Sequence, residues 1–165
     1  MAEQTTPEQE VQHKSLASGQ LTQALLSLWS VERLCEKCAA NTDAKSGLLR
    51  DAIVLYSGAF KGNRFGDTHS VTLSQGSYIP KHFEQLHNDL IAYSDNLFAH
   101  VGSEFRSPRQ AMDGNHLSWQ SNARGSADLE AEIPHIKTLI LEIVCQKLWP
   151  EILDEHQELA GESDR

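Results

Sequence analysis

Cysteine is scarce in this chain, with only Cys35, Cys38 and Cys145 among 165 residues. An odd number this small excludes a disulfide framework as the source of stability and fits a reducing compartment. No apolar run approaches the length of about 18 residues that a membrane span needs. The N-terminal MAEQTTPEQE lacks the basic and apolar regions of a signal peptide, so the cytosol is the expected compartment. Basic side chains are also few, 14 against 23 acidic ones, and the formal net charge of -9 repels polyanions at long range. A nucleic-acid role would therefore need a local basic pocket, for which Lys61 with Arg64 and the arginines Arg106, Arg109 and Arg124 are the candidates. There is no phosphate-binding P-loop, no Gly-x-Gly-x-x-Gly and no nucleophile elbow.

What is present is helical periodicity. A chain of this length suits one domain with its own core. Leu21, Ala24, Leu28, Val31, Cys35 and Cys38 alternate by threes and fours, which gives a helix with one apolar stripe. Upstream, Thr6-Pro7-Glu8-Gln9 has the pattern of a capping box with Pro at the first helical position, so a helix can start there and bend near Ser18-Gly19. Leu49, Ala52, Ile53, Tyr56 and Phe60 predict a second helix, followed by a long polar surface loop over 61–79. A third begins at Pro80, and Phe83, Leu86, Leu90, Tyr93, Leu97 and His100 form its buried stripe. Residues 102–127 are irregular, with a short hairpin expected around Asp113-Gly114-Asn115. A last helix runs from about Asp128 to Leu148 with Cys145 in its apolar content, and Pro150 should kink it. The expected fold is all-α, an antiparallel bundle of four main helices with a loop or hairpin insertion before the last. It forms a single domain over 1–165 with polar extensions at 1–17 and 160–165.

Residues 87–100, His-Asn-Asp-Leu-Ile-Ala-Tyr-Ser-Asp-Asn-Leu-Phe-Ala-His, carry a more specific pattern. They resemble the signature helix of the HEPN nucleotide-binding and ribonuclease domains, in which an Arg and a polar residue precede a His by a few positions. Tyr56-Ser57-Gly58-Ala59-Phe60 is similar to the Tyr-x-Arg-Pro-Phe of some bacterial relatives, and with the helix order the resemblance spans roughly residues 21–148. It implies a homodimer and, in some members, metal-independent RNA cleavage of the kind used in toxin–antitoxin and phage-defence systems. His100 would then be the general base, with Asp95 or Asn96 orienting it. Ser94, His87, Tyr56 and Arg64 would be the binding residues.

The chemistry explains the residue types. A neutral imidazole can take a proton from a ribose hydroxyl, while a guanidinium holds the phosphoryl oxygens as negative charge builds. In this chain Ser94 stands where the signature has its Arg, and Gly58 stands where the second motif has one. A hydroxyl supplies one hydrogen bond and no charge, and loss of a preorganised donor of this kind costs on the order of 10²-fold in rate. The pattern thus favours a non-catalytic or weakly active relative that binds nucleotide, RNA or a protein partner. Ribonuclease activity is the alternative.

A rival reading comes from Glu84-x-x-His87 and Glu132-x-x-His135, whose spacing is that of helical metal bundles; Glu10-x-x-His13 is a third such pair in a less suitable place. Such pairs recur by composition, and no metal or cofactor is assigned. Cys35-x-x-Cys38 continues an apolar stripe and reads as two small hydrophobes. Trp29, Trp119 and Trp149 lie on separate elements, which suits core or interface roles better than a base-stacking platform.

Overall fold

Thr6 and Gln9 open the fold by capping each other. The Thr6 amide donates to Gln9 Oε1 at 2.9 Å and the Gln9 amide donates to Thr6 Oγ1 at 3.3 Å, so two amides that an α-helix leaves unpaired are satisfied at once. Glu8 and Glu10 add negative charge to the first turn, against the positive end of the helix dipole. The computed structural model describes residues 6–37, 42–61, 72–104, 112–113, 116–117 and 126–163. Helix α1 (Pro7–Lys37) is one unbroken helix of 31 residues, so no break occurs at Ser18-Gly19. Much of the stretch expected as a polar extension belongs to it, with Val11 and Ala17 buried.

Helix α2 (Thr42–Lys61) packs along α1. Of the expected surface loop, residues 72–79 are only partly surface: Thr72 and 74–77 are exposed. Leu73, Tyr78 and Ile79 are buried around the short helix α3 (Gln75–Tyr78), and the Leu73 amide is tied to the Ala59 carbonyl at 3.0 Å. A 3-10 turn (Lys81–Phe83) after Pro80 leads into α4 (Glu84–Glu104), the helix with the signature pattern. The two-residue strands β1 (Met112–Asp113) and β2 (His116–Leu117) pair antiparallel, Met112 opposite Leu117, where a hairpin is expected. Helix α5 (Ser126–Ala131) and α6 (Ile133–Leu141), with Pro134 in the first turn of α6, are followed by a π-helical segment (Glu142–Leu148) and α7 (Trp149–Ser163).

The chain stays helical through Pro150, directly after this π-helical segment. The Trp149 amide bonds to the Val144 carbonyl, five residues back, so the turn that the Pro150 ring would crowd is already widened and the helix continues. Cys145, expected in the apolar content of this run, is exposed, because the buried stripe runs through Ile140, Ile143, Val144 and Leu148 and leaves it on the outer side.

The fold is all-α. Lys137 meets Glu32 at 2.7 Å, and Lys14 meets Glu151 and Glu155, so α1 and the α6–α7 run are antiparallel. Helices α2 and α4, however, run in the same sense: Tyr56 meets His87, and farther along both helices Lys61 meets Ile91 and Asp95. The chain therefore has to travel back between them, and the antiparallel order is not kept throughout. Leu21, Leu28, Ile53, Leu90, Ile136 and Ile140 meet in the core between the four long elements. Trp29 and Trp149 are exposed, which excludes the core role for both.

Removing the cap should be felt over the whole of α1. We expect Thr6→Ala to lower the unfolding free energy by about 1 kcal/mol, read as a lower urea midpoint at unchanged slope.

Candidate functional site

Two of the residues singled out in the sequence come together. Tyr56, in the middle of α2, and His87, in the first turn of α4, share a 2.8 Å hydrogen bond between the Tyr56 hydroxyl and His87 Nδ1. Phe60, one turn along α2, meets the imidazole edge to face at 4.8 Å between centroids. Both partners are buried, His87 with 1% of its surface exposed. Burial pushes the imidazole down to about 4, helped by the positive charge of Lys61, and burial pushes the Tyr56 hydroxyl up. Both groups are neutral at pH 7. This is a core hydrogen bond, closed to a substrate.

Ser94 lies seven residues, or two turns, beyond His87 on the same face of α4 and has no exposed surface. Its hydroxyl has no partner among the described residues, nor do those of Ser57 and the second imidazole nitrogen of His87. The side chain that stands in for the signature arginine is thus packed inside the protein. Asp95 and Asn96 are on the exposed side. Asp95 is engaged by Lys61 Nζ at 2.5 Å, and the same ammonium donates to the Ile91 carbonyl at 3.1 Å. His100 belongs to α4, but its side chain lies outside the described residues, as do Arg64, Arg106, Arg109, Arg124, Cys38 and Trp119 and the side chain of Cys35.

The metal pairs do not assemble. Glu84 is exposed while His87 is buried against Tyr56, and Glu132 and His135 pair only with each other, at 2.9 Å on the surface. Among the described residues no group of three or more His, Cys, Asp or Glu side chains is arranged to hold a metal ion.

A different cluster is the most concentrated set of ionisable groups. It lines a cavity of about 370 Å³ between the start of α1, residues 72–78 and α7, with Glu10, His13, Lys14, Tyr78 and Glu151 in its wall. The Lys14 ammonium touches Glu155, Glu151 at 3.1 Å and Glu10 at 3.5 Å. Burial alone would lower its pKa, but the hydrogen bonds to Glu155 and Glu151 outweigh this and raise it. The Tyr78 hydroxyl donates to Glu151 at 2.5 Å and is pushed up by burial and then by that carboxylate. With three carboxylates on one lysine, this wall has a surplus of negative charge and no free cation to offer a phosphate. Sequence reasoning met only Glu10-x-x-His13 here. The other half of the cluster arrives from 60 to 140 residues away, and no local spacing announces it.

Compared with protein-family models, curated proteins and solved structures, the chain matches none of them.

The buried imidazole sets a pH dependence of stability. As pH falls below about 6.5 the unfolded chain binds a proton that the folded chain refuses, so stability should decline from there to about pH 4, by roughly 3 kcal/mol in total from this group. In His87→Gln that part of the decline should vanish, leaving only the carboxylate contribution, as read from urea unfolding at a series of pH values. Tyr56→Phe leaves both imidazole nitrogens unpaired and should cost about 1–3 kcal/mol at pH 7.

Proposed function

We propose that this protein is a non-catalytic helical binding module of the HEPN-like kind, acting on a protein partner rather than on RNA or nucleotide phosphates. The observation that carries this reading is the burial of Ser94. Phosphoryl chemistry needs a cation that reaches the substrate, and the position that would supply it points into the packing between helices. Lys61, the described cation nearest the signature helix, is neutralised by Asp95. Net charge works in the same direction, since -9 opposes association with a polyanion. A cytoplasmic homodimer whose partner is another protein of a toxin or defence system is the setting that the resemblance suggests. The ribonuclease alternative would rest on His100 as base with some other cation in place of the missing arginine.

Three experiments test it. Nucleotides and short RNA titrated against the protein at low and moderate salt should give no saturable binding; salt-sensitive binding would restore the nucleic-acid reading. RNA cleavage abolished by His100→Ala would overturn the non-catalytic reading outright. Restoring the motif with Ser94→Arg should bury a guanidinium without a counter-charge and cost about 3 kcal/mol or more, with no gain of cleavage. A stable Ser94→Arg protein that cleaves RNA would contradict the proposal.

A further inference from the structure

Residues 15–31 of α1 contain no charged side chain, in a protein where 22% of residues are charged. One face of this run is core, with Leu21, Ala24, Leu28 and Val31 buried. That accounts for half of it. The other face carries Leu26 and Trp29, which leave 45% and 42% of their surface exposed, and nothing among the described residues covers it or accounts for its lack of charge. Eleven residues make about three helical turns, so Ser15 lies in line with Leu26 and Ser18 in line with Trp29. Ser15 and Ser18 line an apolar groove of about 340 Å³ against Trp149, Ile152 and Leu153 of α7. The groove therefore leads along α1 toward Leu26 and Trp29.

The α6–α7 run builds the facing wall. Leu141, Cys145, Trp149 and Leu153 recur at a spacing of four, and all are exposed, Trp149 by 57% and Leu153 by 58%. In an α-helix that spacing drifts steadily around the axis, but the wider π-helical turns of residues 142–148 drift back and keep the four close to one line. Four of the charges of this run are drawn to the other side. Glu142 faces His82 at 3.7 Å, Lys147 donates to the Ser77 carbonyl, and Glu151 and Glu155 hold Lys14. Trp149 is also fixed in place, its indole N–H donating to Ser18 Oγ at 3.0 Å, so a large ring lies half open to solvent with little freedom left to lose on binding.

We infer that this face of α1 and α6–α7 is where a second copy of the chain docks. At their exposures Leu26, Trp29, Leu141, Trp149 and Leu153 each present on the order of 100 Å², together about 500 Å², which is over half of the roughly 800 Å² per partner in a stable interface. A self-complementary contact brings like against like, which a charged rim would oppose in a chain of net charge -9. Here the exposed residues beside the face include Gly19, Thr22, Gln23, Ser30 and Gln146, all neutral, and the charges that border it, Arg33 and Asp154, are of opposite sign. The inference shares with the functional reading only the expectation of a dimer and rests on different residues. It also gives that dimer a different geometry: α4 packs against α2 while this face is built on α1 and α6–α7, so the two signature helices do not form the contact.

Sedimentation velocity with circular dichroism as the check of folding tests it. The wild type should have twice the 18.4 kDa monomer mass at micromolar concentration. Leu153→Glu and Leu26→Glu, both at exposed positions, should keep the helical signal and weaken the dimer at least tenfold. Asn96→Glu on α4 should leave it unchanged. A wild type that stays monomeric at about 100 µM, a concentration at which an interface of this area should be closed, overturns the inference. So does a dimer that survives both glutamates but breaks in Asn96→Glu, which would assign the contact to the signature helix. The reaction of Cys145 with a maleimide, in a chain carrying Cys35→Ser and Cys38→Ser, gives a readout without an interface variant. Cys145 should be protected as concentration rises, and equal reactivity at all concentrations would count against the docking face.

Discussion

The hydrogen bond between Tyr56 and His87 is the contact on which the reading of this molecule turns. It joins α2 to α4 in the core, with Phe60 against the ring, and it holds an imidazole that burial keeps uncharged. A hydrogen bond between two neutral buried groups is worth only about 1 kcal/mol net, but leaving either partner alone costs more. The pair therefore fixes how the two helices meet. Two helices of the same sense, separated by a long connection, need such a specification, because no short hairpin sets their register. Ser57, next to Tyr56 in sequence, and Ser94, two turns beyond His87 on the same face of α4, are also buried with hydroxyls that have no partner among the described residues, so the packing around the pair is polar.

That polarity explains how the sequence could resemble a nuclease signature and fold as a core. The spacing that gives a motif its face of the helix also gives a buried stripe its face. His87, Leu90 and Ser94 follow the same three-and-four alternation as an apolar helix. Only the depth of the stripe separates the two outcomes, and depth is decided by what packs on it. Once Tyr56 and Phe60 cover the stripe, the position of the missing arginine is inside, and Asp95 and Asn96 are left on the far side with Lys61.

Much of the fold was legible because it follows from local rules. The capping box of Thr6 and Gln9, the stripes of α1 and α2 and the burial of Tyr56 and Leu90 are consequences of spacing within one turn or two, whereas on α4 the buried line runs through His87 and Ser94 and leaves Leu86, Tyr93 and Leu97, expected in the stripe, half-buried. What could not be read depends on distant partners. Leu73 and Tyr78 look like loop residues until α7 supplies Glu151 and α2 supplies the Ala59 carbonyl. Pro150 signals a kink, and the π-helical turns before it, in which the Trp149 amide reaches back to the Val144 carbonyl, have no mark in the local spacing. The Lys14 cluster joins residues 10, 14, 78, 151 and 155, and no window of sequence contains them together.

Charge is distributed to match. The acidic excess gathers on the lysine hub at one end of α1 and on solvent faces, while residues 15–31 and the outer line of α6–α7 are kept free of it. The proposed binding through apolar faces, with α4 serving as scaffold, agrees with this distribution. The central claim is that the signature helix is a neutral core element, and the direct measurement is the titration of the His87 imidazole carbon-bound proton by NMR, assigned by its loss in His87→Gln. The account predicts a resonance that does not titrate until about pH 4. An ordinary midpoint near 6.5, the value of a solvated histidine, would show an open imidazole and contradict it.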